Sequence, residues 1–111
     1  MSPVIKFVEP SGILDGTKAT EFRNEISDSV KNGADTILID FKEVTFMDSS
    51  GLGALVLALK TVRAAGTKMY ICSINDQIKM LFELTSMDRV FEIFPDREAF
   101  ENAVLTEEAK K

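Results

Sequence analysis

The chain has no histidine, a single cysteine, and no apolar run long enough to cross a bilayer. Each absence removes a class of function. Histidine is the side chain that most often acts as general base, activates a serine nucleophile or ligates zinc. An enzyme built here would have to do without it. The lone thiol, Cys72, excludes an internal disulfide and fits a reducing compartment. It ends the apolar run Met69-Tyr70-Ile71-Cys72, so a buried core thiol is expected rather than a reactive one. The longest apolar stretch runs from Leu52 to Leu59, far short of the roughly 20 residues of a membrane span. Met1-Ser2-Pro3 carries no basic n-region and leads into no h-region, so no signal peptide is read and the cytoplasm is the expected location. Positive charge is also scarce. Thirteen Lys and Arg against 18 Asp and Glu leave a net charge of −5, which argues against a nucleic-acid-binding surface.

What is present suits an ordinary globular domain. Of 111 residues, 45% are apolar and 28% charged, enough to bury a core without metal or disulfide. No repeat, low-complexity tract or linker divides the chain, so one domain spanning 1–111 is expected, monomeric when free. Residues from about 106 onward, including Glu107-Glu108-Ala109-Lys110-Lys111, read as a solvated tail.

Strand-like and helix-like segments alternate. Val4–Val8 reads as a strand ended by Pro10-Ser11-Gly12, and Ile13-Leu14 as a brief apolar contact before the turn Asp15-Gly16-Thr17. Ala19, Phe22, Ile26 and Val30 recur at helical spacing, stopped by Asn32-Gly33. Thr36–Ile39 is a continuous apolar strand, as expected where both faces are covered, and Val44–Met47 is a second apolar patch. A helix begins near Ser49-Ser50 with Leu52, Leu55, Val56, Leu59 and Val62 on its buried stripe, and Gly66 closes it. Met69–Cys72 is a further strand. Ser73-Ile74-Asn75-Asp76 has the spacing of a capping box before a helix carrying Ile78, Leu81, Phe82 and Thr85. Val90–Phe94 reads as a short strand, and Asp96 as the cap of a last helix with Phe100, Ala103 and Val104. Strands separated by amphipathic helices imply right-handed crossovers and an α/β or α+β fold on a mostly parallel sheet.

Phe46-Met47-Asp48-Ser49-Ser50-Gly51-Leu52-Gly53 is the segment richest in chemistry. It places two hydroxyls and two glycines at a strand-to-helix junction, where first-turn N–H groups lack intrahelical acceptors. Structurally, Asp48 or a serine could cap the helix while the glycines allow close packing. One residue suffices for a cap, so hydroxyls remain to spare. A nucleotide-phosphate loop fits poorly, because neither a third glycine nor a Gly-Lys-Ser/Thr sequence is present. A serine nucleophile fits poorly too: position 47 is Met, not the Gly of a Gly-x-Ser-x-Gly elbow, and no histidine exists to activate it. A serine–lysine pair stays open but is weaker. A serine that receives a phosphoryl group from another protein needs only exposure. Asp35, Asp40 and Asp48 are too scattered to form a metal site, and no catalytic residue or cofactor is assigned.

The segment Phe46–Gly53 resembles the signature of STAS domains of the anti-sigma factor antagonist family. Ser11-Gly12-Ile13-Leu14-Asp15 is similar to that family's turn before the first helix, and Cys72-Ser73-Ile74-Asn75 and the spacings between these turns also match. The resemblance covers nearly the whole chain. It implies a four- or five-stranded, mostly parallel or mixed sheet with helices mainly on one side. It further implies that an ATP-dependent serine kinase, itself an anti-sigma factor, phosphorylates the serine after the Asp, here Ser49. A PP2C-type phosphatase would reverse this, and the unphosphorylated form would bind the kinase and free the sigma factor. Asp48, Ser50, Gly51 and Leu52, with Asp15, Gly16 and Thr17 on the adjacent loop, are the expected partner-binding residues; Ser50 is expected to cap or pack. One departure is apparent: only about one strand's worth of residues precedes Asp15, where the family carries a strand pair. STAS-like modules also serve as accessory subunits of lipid ABC systems and as parts of anion transporters. The absence of a membrane segment, and a start that reads as complete, rank the anion-transporter role lower.

Overall fold

The computed structural model describes residues 4–105, and the expected solvated tail lies outside the described residues. In chain order these residues form β1 (Ile5–Val8), β2 (Gly12–Leu14), α1 (Ala19–Lys31), β3 (Thr36–Asp40), β4 (Val44–Met47), α2 (Ser49–Ala64), β5 (Lys68–Cys72), α3 (Asp76–Leu84), a 3-10 turn (Met87–Arg89), β6 (Ile93–Phe94) and α4 (Arg97–Phe100), which runs on into a wider π-type turn (Glu101–Leu105). The main sheet has the order β1-β3-β5-β6, and β2 and β4 form a separate two-stranded sheet. Every strand pair is parallel among the described residues.

Side-chain alternation along the strands defines two layers. On β3, Ile37 and Ile39 face a large core with Met69 and Ile71 of β5, Phe22 and Ile26 of α1, Leu55, Leu59 and Val62 of α2, and Ile78 and Phe82 of α3. Leu38 faces the other way, into a smaller cluster with Cys72, Phe100 and Val104. Three helices therefore cover one face and α4 the other, so all of β3 is buried. The α/β class, the parallel sheet and the one-sided majority of helices agree with the sequence. Burying each of Leu52, Leu55 and Leu59 of α2 contributes about 1.5–3 kcal/mol, more than helix propensity could. Gly33 (φ +89) and Gly66 (φ +76) take left-handed conformations just after α1 and α2.

The structure corrects several expectations. Two strands precede Asp15, not one, although they do not pair with each other: β1 lies beside β3, and β2 beside β4. With three residues, β2 is too short to show a period, and only pairing with β4 makes it a strand. The capping box at Ser73 is absent. Ser73 is itself left-handed (φ 63), and Asn75 caps α3, its Oδ1 accepting from Ile78 N–H at 2.9 Å. The last strand shrinks to Ile93–Phe94, because Phe91 turns inward to stack on Phe82 with ring centroids 5.6 Å apart. In the final helix Phe100 and Val104 are buried, but Ala103 is exposed.

Candidate functional site: the start of the second helix

The β2–β4 pair carries two loops to one place. Leu14 ends β2 and Met47 ends β4 in register, and Asp48 N–H donates to the Leu14 carbonyl at 3.3 Å. The loops that follow, starting at Asp15 and at Asp48, thereby leave from the same edge. A Cβ placed on Gly16 would stand 3.6 Å from Ser50 Cβ, so the two loops are in van der Waals contact. Parallel pairing is the cause, since it puts the exits of both strands on the same edge.

Asp48 is the helix cap. Its backbone is extended (φ −103, ψ −175), and its Oδ1 accepts from Gly51 N–H at 2.9 Å. Ser50, expected to cap or pack, is exposed and takes no cap bond. Ser49 is the first helical residue and is also exposed; its hydroxyl has no hydrogen-bond partner among the described residues. Gly51 and Leu52 are buried, Leu52 at 6% exposure. The reason is steric: a Cβ on Gly51 would lie 2.2 Å from the Leu14 carbonyl oxygen, which means this turn of α2 rests directly on the backbone of β2.

Asp15 folds its own loop. Its Oδ1 accepts from both the backbone N–H (2.9 Å) and the hydroxyl of Thr17, while its carbonyl accepts from Lys18 N–H. The Thr17 hydroxyl first, and then the Thr17 N–H, hold its carboxyl below the ordinary value of 3.8. Asp15 thus has a structural task beside any partner contact.

Beside Ser49 sequence reasoning named Ser50 and Leu52 but missed the rest of the surface they line. An open, mainly apolar groove runs between α1 and α2, lined among others by Ala19, Arg23, Ser49, Gly53, Leu57 and Met87. Leu57 is 44% exposed. It lies off the buried stripe of α2, and an apolar residue off the stripe was the available signal. The scattered acids are all accounted for without metal. Asp35 accepts from Val4 N–H, Asp40 pairs with Arg97 at 3.3 Å, and Asp48 caps α2. No group of three metal-ligating side chains occurs among the described residues. Cys72 is buried, and desolvation pushes its thiol pKa up, away from reactivity. Among the described residues no helix is long and apolar enough to cross a membrane.

The chain is thus an α/β domain on parallel strands with an Asp-Ser-Ser-Gly turn at one strand-exit edge. The family model of the STAS domain matches residues 2–100, and the chain belongs to that family. It is 31% identical to the anti-sigma-B factor antagonist of Staphylococcus aureus (strain NCTC 8325 / PS 47) over 80 residues, covering 72% of this chain and 74% of that one. Two solved structures share the fold. The STAS domain of the SulP transporter of Vibrio cholerae superposes with a TM-score of 0.81 at 18% identity, covering 100% of this chain and 88% of that one. The Bacillus cell fate determinant SpoIIAA in its phosphorylated form gives 0.68 at 20% identity, covering 93% and 94%.

Proposed function

We propose that this protein is an anti-sigma factor antagonist controlled by phosphorylation of Ser49, acting in the cytoplasm by binding rather than by catalysis. The observation that carries the reading is an exposed, unpartnered Ser49 hydroxyl at the N-terminus of α2, on the rim of an open apolar groove. The name of its Staphylococcus aureus relative supports an anti-sigma factor as partner. Unphosphorylated, the domain docks on an anti-sigma factor that is also a serine kinase, and the sigma factor is released. In the kinase site the Ser49 oxygen attacks the γ-phosphorus of ATP, the bond to the β–γ bridging oxygen breaks, and the hydroxyl proton passes to a base of the kinase. A PP2C-type phosphatase returns the serine.

The physics of release is local. Phosphate adds about −1.5 to −2 charge at a helix N-terminus, where the dipole tolerates it, so the domain stays folded. In a docked interface the same charge, unpaired and desolvated, costs about 3–5 kcal/mol. About two to three and a half decades of affinity are lost. Asp48 beside it adds like charge. Docking falls to Leu52, with Ala19, Gly53 and Leu57 around the same groove and Asp15, Gly16 and Thr17 flanking it. The test is phosphopeptide mapping after incubation with ATP and the anti-sigma factor kinase that co-purifies with the protein from its own cells. Phosphate is expected on Ser49. Phosphate on Ser50, or none, overturns the proposal.

A second reading, an accessory subunit of a lipid ABC or anion transporter working without phosphorylation, draws on the fold shared with the SulP domain. It requires that Ser49→Ala and Ser49→Asp behave alike in every binding assay.

A further inference from the structure

β4 has an unusual neighbour. One edge pairs with β2, and no strand pairs with the other among the described residues. Met47 is fully buried, so its N–H and carbonyl on that second edge cannot turn to water. Gln77, on the first turn of α3, satisfies both: its Oε1 accepts from Met47 N–H at 2.9 Å, and its Nε2 donates to the Met47 carbonyl at 2.8 Å. The carboxamide presents one donor and one acceptor, as the peptide group of an adjacent strand would, and the two Met47 groups fix which way round it sits. Asn75 extends the seam, its Nδ2 donating to the carbonyls of Val44 and Thr45 at 3.2 Å each.

Met47 stands one residue before the cap Asp48 and two before Ser49. Its other neighbours are already fixed, since Asp48 bonds to Leu14 and Gly51 rests on Leu14. Gln77 is the clamp from the opposite side. We propose that Gln77 is a positioning residue for the Ser49 phosphoryl acceptor, acting as a one-residue substitute for a missing strand and fixing the backbone from which Ser49 projects. Phosphoryl transfer needs the attacking oxygen in line with the leaving oxygen, and a displacement of about 1 Å can cost a hundredfold in rate. Gln77 does not touch the groove, so it acts on the chemical step rather than on docking. This inference rests on the Ser49 reading above.

The experiment compares Gln77→Met, which keeps length and packing, with Thr67→Val. The latter removes another buried hydrogen bond, from Thr67 Oγ1 to the Ala34 carbonyl, away from β4. Both variants lose some stability, and thermal melts confirm that each is folded at the assay temperature. With the co-purifying kinase and ATP, Gln77→Met is expected to lower kcat for Ser49 phosphorylation by about tenfold to a hundredfold, with KM changed less than about twofold. Thr67→Val leaves both unchanged. Wild-type kcat in Gln77→Met, or an equal loss in Thr67→Val, overturns the proposal. A second readout separates its failure from that of the phosphorylation reading. Hydrogen exchange at the Met47 amide rises at least about tenfold in Gln77→Met but not in Thr67→Val if the clamp is real. If wild-type protein takes no phosphate, the functional reading falls, and an unchanged Met47 exchange rate overturns the clamp as well.

Discussion

Replacing Gly51 by alanine puts a methyl group where the backbone of β2 already is. The added Cβ would lie 2.2 Å from the Leu14 carbonyl oxygen, 3.0 Å from its carbon and 3.1 Å from Met47 Cγ. A side-chain tip could rotate away, but a carbonyl held in register with β4, and already accepting from Asp48 N–H, cannot. The start of α2 must retreat by about 1 Å to restore ordinary contact. Overpacking of this kind costs about 1–3 kcal/mol, and a backbone clash belongs at the upper end. Gly53, two residues on, is the control. A Cβ there meets nothing within 4 Å, and its helical backbone suits alanine. Gly53→Ala should stabilise by about 0.5–1 kcal/mol through helix propensity and a less flexible unfolded chain. The two substitutions are chemically identical and lie in one Gly-Leu-Gly, yet their signs are opposite. Thermal unfolding should place Gly51→Ala roughly 10 °C below wild type and Gly53→Ala a few degrees above it. Gly53→Ala should also bind the anti-sigma partner less well despite its stability, because Gly53 lines the groove. A Gly51→Ala protein as stable as wild type would refute the contact between α2 and β2, and a destabilised Gly53→Ala would refute the open space.

Asp48→Ala should cost about 1 kcal/mol in urea unfolding by removing the α2 cap, whereas Ser50→Ala stays within about 0.5 kcal/mol; the reverse order would return the cap to Ser50. Ser49→Ala should hold the anti-sigma factor kinase without release, and Ser49→Asp should bind it weakly, with a smaller effect than phosphate because the charge is smaller; equal affinities measured by calorimetry would remove the switch. The Asp15 carboxyl is depressed, so its contribution to stability is present above the unfolded value near 3.8 and is lost as pH falls through the lower folded value. Thr17→Val should move its NMR titration back up toward 3.8, and an unmoved midpoint would deny the Thr17 hydroxyl its role.

The sequence was sufficient wherever a period or a punctuation residue repeated. Helical spacing placed α1 and α2 correctly, and the continuous run Thr36–Ile39 announced a strand buried on both faces, as β3 is. It was enough as well for Asp48-Ser49-Ser50-Gly51 to be read as a strand-to-helix junction, and for Asp15 to be expected beside it. It was insufficient where a residue's task depends on something distant in the chain. β2 is a strand only because β4 lies alongside, and Ser73 loses its capping role because the chain turns left-handed there to aim Asn75 and Gln77 at β4. Leu52 and Leu57 look alike in sequence and both line the groove, yet packing leaves one 6% exposed and the other 44%. The two glycines of Gly-Leu-Gly, indistinguishable by local propensity, are separated by a single carbonyl oxygen contributed from 37 residues earlier. Local spacing fixes which residues can share a face; only packing decides which face meets another chain segment and which is left for a partner.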